Sequence, residues 1–172
     1  KKELEETIEN STQGTIIHEV LEKLYKEHSP TIAESSIDEM LNTYEALTDE
    51  LYLKQFPSKS YLHGKNLLYY KMALKEIKLF LTQEKKQIQK KGPIEILGLE
   101  EPLTTTIEID TSQGRKKIVL KGNADRIDAQ NGQIRIIDYK SGFVKPEEVR
   151  VSSIEQVFEK AKAAQLLFYG YL

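Results

Sequence analysis

The stretch Val119-Leu-Lys-Gly-Asn-Ala-Asp-Arg-Ile-Asp-Ala-Gln-Asn-Gly-Gln-Ile-Arg-Ile-Ile-Asp-Tyr-Lys140 decides the fold that we expect for this chain. Apolar or β-branched residues lie on both sides of Asn131-Gly132, a dipeptide that readily adopts the positive φ angles of a two-residue turn. The sequence therefore predicts a β-hairpin, with one strand ending before Asn131 and the other beginning after Gly132.

The second strand of this hairpin combines an apolar face with charged residues. Because neighbouring residues of a strand point to opposite sides, residues two apart share a face. That face carries Ile134, Ile136, Asp138 and Lys140. Asp125 lies on the preceding strand, across the hairpin, where it can approach Asp138. Two carboxylates beside an ammonium group suit a hard divalent cation, which prefers oxygen ligands, and an anionic oxygen of a substrate.

Four motifs, in order along the chain, resemble those of a known family. Gly122-Asn-Ala-Asp125 followed by Asp138-Tyr-Lys140 is similar to the signature of the PD-(D/E)XK nuclease superfamily. Gly14-Thr-Ile-Ile-His18 and Gln165-Leu-Leu-Phe-Tyr169 resemble two further motifs of its RecB-like exonuclease branch (the AddB/RecB C-terminal nuclease type). Each motif alone is weak, but the ordered set spans most of the chain.

The resemblance implies a fold. It is an α/β fold with a restriction-endonuclease-like core, in which helices flank a central mixed sheet of about four strands. A helical pair is inserted at about 36–91. Residues 1–172 would form a single nuclease domain. Because such modules commonly lie at the end of larger helicase-associated proteins, and both ends of the chain are abrupt, we expect a domain excised from a longer protein.

The resemblance also implies a metal centre. A magnesium or manganese ion would be bound by Asp125 and Asp138, with His18 as a third ligand and the backbone carbonyl of Tyr139 as a fourth. His18 falls near the edge of the apolar stripe of its predicted helix, a position from which a ring nitrogen can point into a cleft. A nitrogen ligand favours manganese over magnesium without excluding either.

Further residues would act on the substrate. By resemblance, Lys140 contacts the attacking water or the scissile phosphate, and Gln165 and Tyr169 position the DNA strand or brace Lys140. The implied catalytic set is Lys140, Asp138, Asp125, Gln165 and Tyr169. Glu100 or Glu101 resembles an acid often found at this place in the family. It either supports the metal site or holds a strand edge, and the second interpretation is favoured.

The function implied is that of a metal-dependent DNA nuclease that hydrolyses phosphodiester bonds in DNA repair or recombination. Its partners would be single- or double-stranded DNA and helicase domains or subunits of a larger repair complex. Two alternatives remain. The chain is a catalytically inactive nuclease-fold module that binds DNA or a helicase partner, or the hairpin acids are ordinary turn and surface residues.

Composition limits the other classes of protein. A chain of 172 residues with 39% hydrophobic and 30% charged residues is typical of one globular domain. Cysteine is absent, which excludes disulfides, zinc–thiolate sites and cysteine-bound iron–sulfur clusters. No apolar run is long enough to cross a bilayer, and the charged N-terminal segment is unlike a secretory signal. We expect a cytoplasmic protein without membrane contact.

Charge is distributed unevenly along the chain. Residues 1–56 contain 5 Lys/Arg and 13 Asp/Glu, whereas residues 57–172 contain 20 Lys/Arg and 14 Asp/Glu. The basic part contains most of the motifs, which favours a DNA-facing half. Helices that carry solvated surface charges explain the same asymmetry equally well when the motifs are set aside.

Periodicity predicts the remaining elements. Helices are expected over Ser11–His28, from Ser36 to about Phe56, from about Ser60 to Lys91, and from about Ser153 to the end of the chain. Strands are expected over Ile94–Glu100 and Thr104–Asp110, ahead of the hairpin.

Overall fold

Three long helices precede the three longer strands in the computed structural model, which describes residues 8–112, 114–140, 142 and 144–171. The elements follow in the order α1 (Asn10–His28), β1 (Thr31–Ile32), α2 (Glu34–Gln55), α3 (Gly64–Lys91), β2 (Ile94–Thr111), β3 (Gly114–Gln130), β4 (Gln133–Ile137), α4 (Pro146–Val149), α5 (Ile154–Glu159) and α6 (Ala161–Tyr171). One 3₁₀ turn, Ser60–Leu62, precedes α3.

The strands form an antiparallel sheet in the order β1-β2-β3-β4. The predicted α/β class, with helices flanking a sheet of about four strands, is confirmed. The expected mixed pairing is wrong, because the strands in the described part of the chain are antiparallel. The cause is the length of the connections. Tight turns join β2 to β3 and β3 to β4, whereas parallel neighbours need a crossover of a dozen or more residues.

The chain divides into two compact units, which we describe separately. The first unit comprises residues within 1–97 together with 128–135, and the second comprises 98–127 together with 136–172. The first unit therefore contains α1, β1, α2 and α3, and the second contains α4, α5 and α6. Strands β2, β3 and β4 contribute residues to both units.

The core of the first unit is built from α1, α2 and α3, which pack against one another. The apolar stripe predicted for α1 is buried as expected for an amphipathic helix. Its buried aliphatic residues are Ile16, Ile17, Val20, Leu21 and Leu24. From α3, Ile77 and Leu81 are fully buried.

Helix α2 begins two residues before the predicted start. The helix was expected from Ser36, but the N-cap is Ala33 and Ser36 occupies the third helical position. There its hydroxyl accepts a hydrogen bond from the backbone N–H of Ala33 at 3.2 Å. Because a serine oxygen satisfies a free N–H from either position, the residue type alone did not fix the first turn.

Helix α3 begins later than predicted and ends where predicted. The segment Ser60–Leu62 forms a 3₁₀ turn, and the α-helix begins at Gly64. At the other end the backbone N–H of Gly92 bonds to the carbonyl of Ile88 at 2.7 Å, and Gly92 has a φ of 83°. Glycine takes up this conformation without strain, so Gly92 stops the helix as the sequence indicated.

The β3–β4 turn follows the sequence prediction. Asn131 and Gly132 both have positive φ, 53° and 76°, as a two-residue turn of this kind requires. One detail differs from expectation: at the start of the apolar face the Ile134 side chain is 69% exposed. Alternation fixes which residues share a face but not which face is covered.

Strand β2 is longer than predicted. The two strands expected over Ile94–Glu100 and Thr104–Asp110 form one element, Ile94–Thr111. The irregularity lies at Glu100, which has a φ of 49° within the strand. Its neighbour in the sheet is β3, which spans 17 residues.

A buried ion pair joins β3 to β4 within the first unit. The guanidinium of Arg135 donates to both carboxylate oxygens of Asp128, through Nε at 2.6 Å and Nη2 at 2.9 Å. Asp128 is fully buried, and Arg135 also lies 3.8 Å from a carboxylate oxygen of the buried Glu84. Bidentate geometry of this kind fixes both direction and register.

The single C-terminal helix predicted from about Ser153 is wrong. Two helices, α5 and α6, occupy this region, and they meet at Lys160, whose φ of −118° and ψ of 89° are not helical. The Lys160 ammonium donates to the backbone carbonyl of Arg150 at 2.7 Å. Periodicity continued across the break, which is why sequence reading merged the two helices.

In the part of the chain that is described, no helix has both the length and the apolar character that crossing a membrane would require.

Truncation of a core leucine should destabilise the chain much more than truncation of an exposed one two residues away. We expect Leu81→Ala, at a fully buried site, to lower the free energy of unfolding by about 2–5 kcal/mol, because it removes apolar contacts and leaves a cavity. The matched control Leu79→Ala, at a site that is 54% exposed, should change it by about 0.5 kcal/mol or less. Urea unfolding followed by circular dichroism measures both, and equal losses would contradict this packing.

Glu76 should make stability depend on pH. Burial raises the pKa of its carboxyl above the ordinary value of 4.5, and one of its oxygens is buried without a hydrogen-bond partner among the described residues. A raised pKa in the folded state gives stability that is complete below the unfolded pKa and is lost as the pH rises through the folded pKa. Glu76→Gln should therefore raise the urea midpoint at about pH 7 and change it little at about pH 4.

The control for Glu76→Gln is Glu27→Gln, which alters an exposed glutamate of α1. It should leave the difference between the two pH values unchanged. A gain of equal size at both pH values for Glu76→Gln would show that the charge of the carboxyl is not the cause.

Candidate active site

The predicted acid and lysine are in direct contact. Strand β4 ends at Ile137, and Asp138 and Lys140 follow it at once. The Lys140 ammonium lies 2.5 Å from Oδ2 of Asp138. The Asp138 side chain is only 10% exposed, while that of Lys140 is 39% exposed. A nearly buried carboxylate therefore carries a cation that still reaches solvent.

Helix α6 brings Gln165 and Tyr169 to the same place. The two residues are one helical turn apart and share a face. The Gln165 amide donates to Oδ1 of Asp138 at 3.0 Å and to the Tyr169 hydroxyl at 3.1 Å. The Tyr169 hydroxyl in turn donates to the backbone carbonyl of Asn123 at 2.9 Å. A chain of hydrogen bonds thus runs from the acid after β4, through α6, to β3.

Asp125 lies on β3 and is tied to the segment that follows β4. Its Oδ2 accepts a hydrogen bond from the backbone N–H of Tyr139, the residue between Asp138 and Lys140. Asp125 is 9% exposed, and its neighbours Ala124 and Arg126 are fully buried. The two predicted acids therefore belong to one bonded cluster of the second unit.

Sequence reasoning undervalued Glu100. It was assigned a structural role at a strand edge, but its carboxylate offers an oxygen within 4.8 Å of a carboxylate oxygen of Asp125. The side-chain amide of Asn123 donates to Glu100 Oε2 at 2.7 Å and so fixes its direction. The positive φ at Glu100 reorients the side chain, and no residue pattern in the sequence signals that conformation.

Two residues with supporting contacts were missed altogether. Asn123 accepts from Tyr169 through its backbone and donates to Glu100 through its side chain, although it was read only as part of a motif. Arg126 is fully buried, and its guanidinium lies 6.0 Å from the centre of the Tyr139 ring. An alternating strand pattern gives no signal for a buried arginine next to an acid.

The donor set of the second unit fits a hard divalent cation. Glu100, Asp125 and Asp138 supply only carboxylate oxygens, the ligands that magnesium and manganese accept most readily. Partial burial of Asp125 and Asp138 strengthens their interaction with a cation, since less water screens it. Within this unit Glu100 and Asp125 bring carboxylate oxygens within 4.8 Å of each other, and the role of Asp138 as a ligand stays a prediction.

Two other predicted ligands stay predictions. His18 is half-buried on α1 and belongs to the first unit, whereas the acids belong to the second. The backbone carbonyl of Tyr139 lies between Asp138 and Lys140 in the sequence, and its role as a ligand has no test here.

This sheet and helix arrangement is that of a restriction-endonuclease-like fold. A family model described as the PD-(D/E)XK nuclease superfamily matches residues 1–172, and the chain therefore belongs to that superfamily. Its members are generally metal-dependent nucleases, and DNA is the substrate that such a family implies. No curated protein and no solved structure gives a significant match to the chain.

Loss of the Tyr169 hydroxyl should destabilise the site. Tyr169→Phe removes the donor to the part-buried bond with the Asn123 carbonyl and one acceptor of Gln165, so we expect the free energy of unfolding to fall by about 1–3 kcal/mol. The matched control is Tyr69→Phe, at a tyrosine whose hydroxyl has no hydrogen bond within the described residues. It should have little effect in the same urea titration, and equal effects would contradict the assigned contacts.

Proposed function

We propose that this chain is a metal-dependent deoxyribonuclease of the RecB-like branch, acting as an exonuclease on DNA in repair or recombination. The observation that carries the proposal is the bonding of Asp138 to both Lys140 and Gln165. Asp138 is the acid of the signature, and its carboxylate contacts both the signature lysine and the glutamine typical of the branch. The lysine follows β4 and the glutamine lies on α6, so two separate segments meet at this carboxylate.

Lys140 supplies positive charge where phosphate chemistry needs it. Hydrolysis of a phosphodiester builds negative charge on the phosphoryl oxygens, and a cation fixed beside them stabilises that charge. The Lys140 ammonium is held by Asp138, while part of the side chain remains exposed. In this position the ammonium would contact the scissile phosphate or hold the attacking water.

A divalent ion would be held by Asp125 and Asp138, with Glu100 as an additional ligand. His18 and the Tyr139 carbonyl complete the set that family resemblance implies. When bound, magnesium or manganese would neutralise charge on the phosphate and make a bound water more acidic. The hydrogen bond from the Tyr139 N–H to Asp125 keeps one carboxylate oxygen in a fixed direction.

Gln165 and Tyr169 set the direction of Asp138. Because the Gln165 amide occupies Oδ1 of Asp138, the remaining oxygen Oδ2 faces Lys140. Tyr169 holds the glutamine through its hydroxyl and is itself held by β3. These contacts support the RecB-like assignment, since this pair matches one of the two further motifs by which the chain resembles that branch. Association with helicase domains or subunits of a repair complex belongs to the same proposal.

Removal of either central group should abolish cleavage and leave the fold intact. We expect Asp138→Asn and Lys140→Met each to lower the rate of DNA degradation by about 100-fold or more, the scale seen when a group that stabilises transition-state charge is removed. The assay follows labelled single- and double-stranded DNA with magnesium or manganese, and chelation of the metal should stop it. The control Lys23→Met removes an exposed lysine of α1 and should retain full activity.

Metal binding provides a second readout that does not depend on turnover. Calorimetry with manganese should show a site that is lost in Asp125→Asn and kept in Asp110→Asn, which alters an exposed acid of β2. If wild-type protein binds DNA but degrades neither form with either metal, the chain is the catalytically inactive binding module. Full activity in Asp138→Asn or Lys140→Met would remove the proposed mechanism.

A further inference from the structure

Helix α3 exposes an apolar stripe that the first unit does not cover. Leu68, Met72 and Leu79 are 59%, 42% and 54% exposed. Spacings of four and seven residues place them on one face of the helix. The stripe runs for about 16 Å, or three turns, along a 28-residue helix. Exposed apolar residues that line up in this way mark interaction surfaces more often than scattered ones do.

The surroundings of this stripe carry charge of one sign. Helix α3 contains eight lysines and two glutamates. Glu84 is buried and Glu76 is half-buried, so no acidic side chain is among the exposed residues of the helix. The exposed lysines are Lys65, Lys71, Lys75, Lys78, Lys86, Lys90 and Lys91. Lys75 lies in line with the stripe, Lys71 and Lys78 lie on one side of it, and Lys65 lies on the other side at its N-terminal end. None of these four lysines has an ion-pair partner among the described residues.

We propose that this face of α3 binds an acidic amphipathic helix of a partner protein. A helix with leucines at positions i, i+4, i+7 and i+11 would cover the stripe, and acidic residues on both sides of it would meet the lysines. Leucine and methionine supply the apolar contact, and methionine adapts its shape to the partner. The lysine rim provides charge complementarity, which increases the association rate and selects acidic partners.

Other occupants fit this surface less well. DNA would use the lysines, but its phosphates gain nothing from three exposed apolar side chains in the middle of the face. A second copy of this face would bring two rows of lysines together, and like charges at close range are destabilising. An anionic lipid surface would attract the lysines, yet three apolar side chains offer little area for insertion. The surface lies outside the nuclease machinery, so this proposal stands whether or not the chain cleaves DNA.

The test uses the whole chain and a synthetic peptide. The peptide is a helix about four turns long with a leucine stripe at the spacing given above and glutamates on both sides. We expect it to bind in fluorescence anisotropy, and a scrambled peptide of the same composition should bind at least about tenfold more weakly. Leu68→Gln combined with Leu79→Gln should weaken peptide binding by about tenfold or more, without changing nuclease activity or the circular dichroism spectrum.

Charge reversal distinguishes charge complementarity from non-specific hydrophobic binding. Lys71→Glu combined with Lys78→Glu should weaken binding of the glutamate peptide and strengthen binding of the corresponding lysine peptide. The matched controls are Ile134→Gln, at an isoleucine that is 69% exposed, and Lys26→Glu on α1, and both should bind like wild type.

Four results would overturn the proposal. The first is that the acidic peptide does not bind, and the second is that the scrambled peptide binds equally well. The third is that the leucine substitutions reduce binding to a DNA fragment or to phosphatidylserine vesicles and leave peptide binding unchanged. The fourth is self-association of the wild-type chain in sedimentation that the same substitutions abolish.

Discussion

The register of the β3–β4 hairpin is the constraint on which the site depends. A turn of only two residues, with positive φ at Asn131 and Gly132, leaves one way for the strands to run side by side. Within that register Asp128 meets Arg135, and Asp125 meets the backbone N–H of Tyr139. A slip of one residue would turn every side chain of β4 to the opposite face and separate these partners. The turn, far from the chemistry, therefore sets the positions of the acids.

Helix α6 adds a second constraint of a different kind. The strands deliver Asp138, but its carboxylate can rotate about its own side-chain bonds until Gln165 occupies one oxygen. Because Gln165 is held by Tyr169, and Tyr169 by the backbone of β3, the orientation of the acid is set by three consecutive hydrogen bonds. Each bond is modest by itself, and together they hold the carboxylate of Asp138 in one orientation, with Oδ1 on Gln165 and Oδ2 on Lys140. Such preorganisation is what a charge-stabilising site requires.

Much of this arrangement could be predicted from residues because local rules dominate it. Asn131-Gly132 determined the hairpin, the apolar stripe determined α1, and Gly92 determined the end of α3. The features that were not predicted depend on tertiary contacts or on backbone conformations that the residue type does not reveal. In the sequence Glu100 looks like any other acid, but in the structure it has a left-handed backbone and an oxygen within 4.8 Å of Asp125. Lys160 ends one helix although the apolar periodicity continues into the next. The roles of His18 and the Tyr139 carbonyl stay predictions.

The left-handed backbone at Glu100 has a consequence for both the stability of the fold and the proposed binding of a cation. A side chain in that conformation costs about 1–2 kcal/mol relative to glycine, which adopts it freely. Selection for robustness alone would therefore favour glycine at position 100, and selection for cation affinity would favour the carboxylate. β-Branched residues satisfy neither demand. If Glu100 binds the ion as proposed, glycine at this position would relieve the backbone cost and remove a ligand, so resistance to heat and affinity for the cation would change in opposite directions.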